Sequence, residues 1–221
     1  MFEVIFNLIF PPKCIFCGKL LNYDVKLFIC NNCYPKIPYI KNGKINLIKT
    51  NSYFDDVICI CEYSGIIKEA LIRYKFFNRP SYYMTFAQMM YDKISEMPDW
   101  KKADIILSVP LHRKKERKRG YNQARLIAKQ LGKLLGIRES ECLLVRTKNT
   151  DSQSLLNRTD RLKNVKDAFE VTDARSVNGK FVLIVDDILT TGTTLNECCK
   201  VLKNAGAEII TAAVVATGRK Y

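Results

Sequence analysis

The sequence has 221 residues, 48% of them hydrophobic, which is enough apolar material for one sizeable α/β core with a small accessory module and excludes a disordered chain. Its formal charge of +14 is uneven: residues 101–150 hold 14 Lys and Arg against 4 Asp and Glu, so the basicity is local, as a polyanion-binding surface requires. The apolar run at residues 1–10 holds Glu3, lacks a basic leader and ends in Pro11-Pro12; it reads as a short packed helix rather than a signal peptide.

No other stretch is long enough to span a bilayer, so the expected location is the cytoplasm. Nine cysteines without an export signal point to reduced thiols or metal ligands rather than a disulfide framework. Residues 1–50 are rich in Cys, Asn, Pro and Lys and show no long helical period. Within them Cys14-x2-Cys17 and Cys30-x2-Cys33 stand twelve residues apart, with Gly18 and Asn31-Asn32 supplying tight turns. Two such knuckles supply four thiolates for tetrahedral Zn²⁺, and four protein ligands leave no open position for catalysis, so the metal is structural. A redox pair and an iron–sulfur cluster are the rival readings.

From Asp56 onward the pattern alternates between strands and helices. Strands are predicted at 57–63, 103–109, 143–146, 180–185 and 208–216, and helices at 65–76, 85–95, 122–135 and 194–204. This predicts an α/β fold with a mainly parallel sheet and flanking helices, and a division into a zinc-ribbon-like module at 1–50 and a larger domain at 51–221. Cys59, Cys61, Cys142, Cys198 and Cys199 read as core residues.

Functional groups on a buried parallel sheet belong where strands end. The strand at 103–109 runs into Ser108-Val109-Pro110-Leu111-His112, followed by Arg113-Lys114-Lys115-Glu116-Arg117-Lys118-Arg119. That basic run is either a solvated loop or a contact for phosphates, from a small ligand or from a nucleic-acid backbone. Tyr121, Tyr74, Phe76 and Phe77 are candidates for base stacking, with core packing as the alternative. His112 is the only histidine, so any imidazole chemistry would fall to it. Farther on, Gln153, Arg161 and Asn164 lie in a polar stretch that reads as a lid loop running into a short helix.

The strongest signal is the run from Phe181 to Thr194: an apolar strand, Asp186-Asp187, then Thr190-Thr191-Gly192-Thr193-Thr194 leading into a helix. Gly192 lets backbone approach a ligand, while the helix start and the threonine hydroxyls suit a phosphate monoester. Two acids would repel a bare phosphate, but they accept hydrogen bonds from vicinal ribose hydroxyls, so the run specifies a sugar phosphate. It lacks the Gly-x4-Gly-Lys of nucleoside-triphosphate loops and the Gly-x-Gly-x2-Gly of dinucleotide folds.

This run resembles the phosphoribosyl pyrophosphate (PRPP) motif of type I phosphoribosyltransferases. The resemblance implies that Asp186 and Asp187 hold the ribose hydroxyls and Thr190 to Thr194 the 5′-phosphate. It implies further that Ser108, Val109, Pro110 and Leu111 form the pyrophosphate loop, and that Mg²⁺ is bound largely through PRPP. Purine-salvage members place an acid where this chain has Thr190, which argues against purine salvage. Together with the four-cysteine module, Pro110-Leu111, Arg119 to Gln123, Gln153, Arg161-x2-Asn164 and the acid-threonine run, the chain resembles the ComF family of competence proteins from Pro11 to about Ala216. That likeness implies PRPP binding, handling of single-stranded DNA in natural transformation, and competence-machinery proteins as partners. An active phosphoribosyltransferase on an unidentified base or amine, and a PRPP-sensing regulator without turnover, are the alternatives.

Overall fold

The structure, a computed structural model, describes residues 11–22, 25–41, 43, 52–97, 102–148 and 165–218. The helix expected at 1–10 and the loop candidates Gln153, Arg161 and Asn164 lie outside the described residues. The main elements in chain order are β1 (Asp56–Glu62), α1 (Gly65–Phe76), α2 (Tyr82–Ser95), β2 (Ile105–Ser108), α3 (Arg113–Arg119), α4 (Gln123–Leu135), β3 (Leu144–Arg146), β4 (Phe169–Val171), β5 (Phe181–Leu189), α5 (Thr193–Asn204) and β6 (Ile209–Thr217).

Apolar strands without polar alternation need cover on both faces, and the sheet supplies it. Its strands lie in the order β1-β6-β5-β2, and every pairing is parallel. On one face Ile58, Ile60, Leu183, Val185 and Val215 share a buried cluster with residues of α1, α2 and α4. On the other, Val57, Val182, Ile184, Ala212 and Val214 pack with Leu195, Cys198, Cys199 and Leu202 of α5. The result is a three-layer α/β/α sandwich, the expected class.

Three local expectations are corrected. The segment at 143–146 does not join the parallel sheet: β3 pairs with β4 as an antiparallel ribbon, seated on the α5 face through Leu143, Leu144 and Phe169. The strand at 180–185 continues to Leu189, so the two acids sit within β5 rather than in a loop after it. The basic run is a helix, not a loop. His112 caps its start by accepting from the Lys114 amide at 3.3 Å, and Gly120, at φ 88°, closes its end. Lys and Arg are good helix formers, but a run of charged residues alone shows no apolar period. Cys142 is also exposed rather than in the core, at the turn before β3, whereas Cys59, Cys61, Cys198 and Cys199 are buried.

The N-terminal module is continuous with the core. Residues 38–41 run along β1, with Ile40 N–H donating to the Ile60 carbonyl at 2.9 Å and Glu62 N–H to the Pro38 carbonyl at 2.9 Å. This covers what would be an open sheet edge. Ile15, Phe16, Ile29 and Ile37 join the same apolar cluster as α1 and α2. Among the described residues no helix is long and apolar enough to cross a membrane.

Gly132 marks the closest approach of α4 to β2. A Cβ there would lie 2.8 Å from the Ile137 carbonyl oxygen and 3.1 Å from Ile106 Cγ2. Helix propensity alone favours alanine over glycine by about 1 kcal/mol. Here the clash reverses the sign, so Gly132→Ala should destabilise the fold by about 1–3 kcal/mol in urea unfolding.

Candidate functional site

Parallel strands bring all their C-terminal ends to one edge of the sheet, and β2 and β5 are neighbours with Ser108 in register with Val185. The chain leaving β2 therefore emerges beside the acid pair. Val109 N–H donates to the Val185 carbonyl at 2.9 Å, so Ser108, Val109, Pro110 and Leu111 run directly past the start of Asp186-Asp187. Asn122, which caps α4, fixes that loop by donating from its amide to the Val109 carbonyl at 3.1 Å.

Successive residues of a strand leave opposite faces. Asp187 follows Leu183 and Val185 onto the α1 face, where it is 5% exposed and pairs with Lys75 Nζ at 2.9 Å. Asp186 follows Val182 and Ile184 toward α5, and its carboxylate accepts from the Asp187 amide at 2.8 Å. Burial, and after it the Asp187 charge, push the Asp186 carboxyl up to about 8, against the pull of Lys75. Nothing in the sequence marked Lys75. It is one cation in the last turn of a predicted helix, and only the packing of α1 against β5 brings it to the acid.

Beyond β5, Gly192 takes φ 75° and ψ 0°, a left-handed conformation that permits the tight entry into α5. The hydroxyls of Thr191 and Thr193 lie 2.9 Å apart, and Thr193 N–H reaches Thr191 Oγ1 at 3.4 Å. Thr190 is exposed, and Thr191, Thr193 and Thr194 are half-buried at the helix start. First-turn amides have no acceptor inside the helix, so α5 presents its positive end where these hydroxyls gather. The predicted cradle residues are thus together, with the Ser108 to Leu111 loop one strand away.

α3 follows that loop and is two-faced in burial although nearly uniform in charge. Arg113, Lys114, Arg117 and Lys118 are exposed, while Lys115, Glu116 and Arg119 turn inward. Arg119 donates to Gln123 Oε1 at 2.7 Å and lies over the Phe76 ring at 5.5 Å. Glu116 meets Arg125 at 3.8 Å. Phe76 and Phe77 are 62% and 64% exposed beside this helix. Tyr74 is instead core, and Tyr121 is tied to the Tyr74 carbonyl, so neither is an open stacking surface. Burial, then the Arg146 charge, hold the His112 imidazole below its ordinary value, which suits an uncharged cap.

The four module cysteines converge. Cys14, Cys17, Cys30 and Cys33 have sulfurs within 4.8 Å of one another, and Cys17 and Cys30 lie 3.6 Å apart. A tetrahedral zinc–thiolate site has sulfur–sulfur edges of about 3.8 Å, so the cluster fits such an ion. Burial pushes the Cys33 thiol up to about 12, while against burial, sulfur hydrogen bonds from Cys17 and Cys33 hold Cys30 down at about 7. A central cation would resolve that opposition by stabilising all four as thiolates.

The phosphoribosyl transferase domain family matches residues 76–221. Competence protein F of Haemophilus influenzae is 31% identical over 185 residues, covering 82% of this chain and 81% of that protein. Competence protein ComFC of Bacillus subtilis is 31% identical over 145 residues, covering 65% of this chain and 56% of its own length. DNA utilization protein YhgH of Escherichia coli K12 is 35% identical over 107 residues, 48% of this chain and 46% of that protein.

The raised Asp186 carboxyl has a consequence for stability. An unfolded chain ionises this group near 3.8, whereas the fold keeps it protonated up to about 8. Its contribution to stability is therefore full below about pH 4 and is lost as pH rises through about 8. Asp186→Asn should remove that loss, so its melting temperature should gain on the parent's progressively from pH 4 to 8 and level off above, by differential scanning fluorimetry.

Proposed function

Because the chain belongs to the ComF family and carries that family's phosphoribosyl transferase domain, we propose that it binds PRPP with Mg²⁺ and handles single-stranded DNA during natural transformation. In this reading Asp186 and Asp187 take the ribose hydroxyls, Thr190, Thr191, Gly192, Thr193 and Thr194 take the 5′-phosphate, and Ser108 to Leu111 take the pyrophosphate. Mg²⁺ would be carried largely by the ligand's own phosphates. Residues 1–50 form a module held by a structural Zn²⁺ on Cys14, Cys17, Cys30 and Cys33, and residues 51–221 form the ligand-binding domain. The protein would act in the cytoplasm beside other competence proteins.

The observation that carries the DNA reading is the solvent face of α3. Arg113 with Arg117, and Lys114 with Lys118, are like-charge pairs four residues apart, each of which weakens an isolated helix by about 0.2–0.5 kcal/mol. A phosphate backbone lying along the face turns that repulsion into attraction. The exposed rings of Phe76 and Phe77 beside it offer surfaces on which unpaired bases stack, which a duplex does not present.

A second reading is favoured by the completeness of the motif from Asp186 to Thr194: an active phosphoribosyltransferase. An amine or ring nitrogen would attack the ribose C1, the C1–oxygen bond would break, and pyrophosphate would leave with that electron pair. Release of pyrophosphate only in the presence of one nucleobase or amine would establish it. PRPP-dependent change in DNA affinity without pyrophosphate release would instead identify a sensor.

Two measurements check the main proposal. Asp187→Asn should weaken Mg²⁺-PRPP binding by about 1–3 kcal/mol in calorimetry and leave oligonucleotide affinity unchanged. With four phosphate contacts, the plot of log affinity for a single-stranded oligonucleotide against log salt should slope at about −3, and Arg113→Gln with Arg117→Gln should halve it. A salt-independent affinity would sink the DNA half of the proposal. Elemental analysis should find one zinc per chain, lost in Cys17→Ser.

A further inference from the structure

Four consecutive residues at the end of α1 each reach a different part of the molecule. Arg73 Nη2 donates to the carbonyls of Ile15 and Phe16, at 3.0 Å each. Both carbonyls lie inside the turn from Cys14 to Cys17, and both residues are buried. Tyr74 is fully buried; its hydroxyl donates to the Gln123 carbonyl at 2.9 Å, and its own carbonyl accepts from Tyr121. Lys75 pairs with Asp187 at 2.9 Å, and Phe76 lies under Arg119 at 5.5 Å. The match to the phosphoribosyl transferase domain begins at residue 76, so Arg73 and Lys75 precede it.

From this junction we infer that Arg73 is a positioning residue that ties the four-cysteine turn to the acid pair, so that the state of the metal knuckle sets where Lys75 stands against Asp187. The inference rests on the reading of Asp186 to Thr194 as the ribose-phosphate pocket. The physical chain is short. A turn whose sulfurs converge on one ion is rigid, and its carbonyls keep one orientation. A guanidinium nitrogen donating to two adjacent carbonyls follows that orientation more closely than a single bond would.

Lys75 is two residues along the same hydrogen-bonded helical turn, which closes with Phe77 N–H on the Arg73 carbonyl at 3.0 Å. A displacement of Arg73 is therefore passed to Lys75 by backbone geometry. With Lys75 withdrawn, Asp187 would face Asp186 without its counter-charge. The uncompensated Asp187 carboxylate would then repel a phosphorylated ligand, while the protonated Asp186 adds no charge to offset or share that repulsion. The exposed cations of α3 do not enter this path.

The test uses the full-length chain, zinc-loaded in the parent and in the Arg73 variants, with two readouts: affinity for Mg²⁺-PRPP by calorimetry, and the acylation rate of the Lys75 amine by a soluble anhydride, followed by mass spectrometry. Arg73→Ala should retain zinc, raise Lys75 reactivity and weaken PRPP binding by about five- to tenfold. Cys17→Ser, which opens the knuckle with Arg73 intact, should produce the same two changes, and the double variant should add little. Should Arg73→Ala not fold, Arg73→Gln replaces it, with the same changes expected in the same direction. Unchanged Lys75 reactivity, or raised reactivity at parental PRPP affinity, overturns the inference. If the parent binds no PRPP at all, the pocket reading falls, and Lys75 reactivity alone decides whether knuckle and acid pair are coupled.

Discussion

A strand that is parallel to both neighbours and buried on both faces has only its end free for chemistry, and β5 is such a strand. That constraint orders the molecule. It places the β2 loop against Val185, sets Asp186 and Asp187 on opposite faces of one strand, and aims the start of α5 at the same edge. The ion pair of Lys75 with Asp187 depends on it too, because α1 and β5 share the apolar cluster beneath that pair. Covering layers and site are therefore two results of a single strand arrangement.

The class of fold was legible because its strands are written as uninterrupted apolar runs, such as Phe181 to Val185, and its helices as periodic ones. The four cysteines were legible because a thiolate pair three residues apart encodes half of a tetrahedron locally. What the sequence hid is what tertiary contact decides. β4 is three residues of unremarkable pattern, visible only against β3. α3 has no apolar period, and its helical state rests on caps at His112 and Gly120. Lys75 and Arg73 look like two ordinary cations of a helix end until their partners, 112 and 58 residues distant in sequence, are placed. Tyr74 shows the converse: its aromatic character suggested a surface role, and burial made it core.

The site also departs from what stability alone would select. An acid kept protonated by burial and a row of like charges on α3 each oppose folding, and both lie at the edge where the strands end, beside a second buried acid paired with a lysine. Groups of this kind concentrate where a ligand is to complete them. The apolar layers on both faces of the sheet supply the surplus that tolerates them.

The cationic stripe on α3 has one more consequence, which concerns ionic strength. Dissolved salt screens the repulsion between Arg113 and Arg117 and between Lys114 and Lys118, so the helix is better ordered when salt is high. The same ions compete for the phosphates of a polyanion, so the attraction of the stripe is weakest under those conditions. Order and attraction thus run in opposite directions along one variable. In dilute buffer the bare helix frays most readily, and it is there that a strand of nucleic acid would act as its missing counterion and restore its shape.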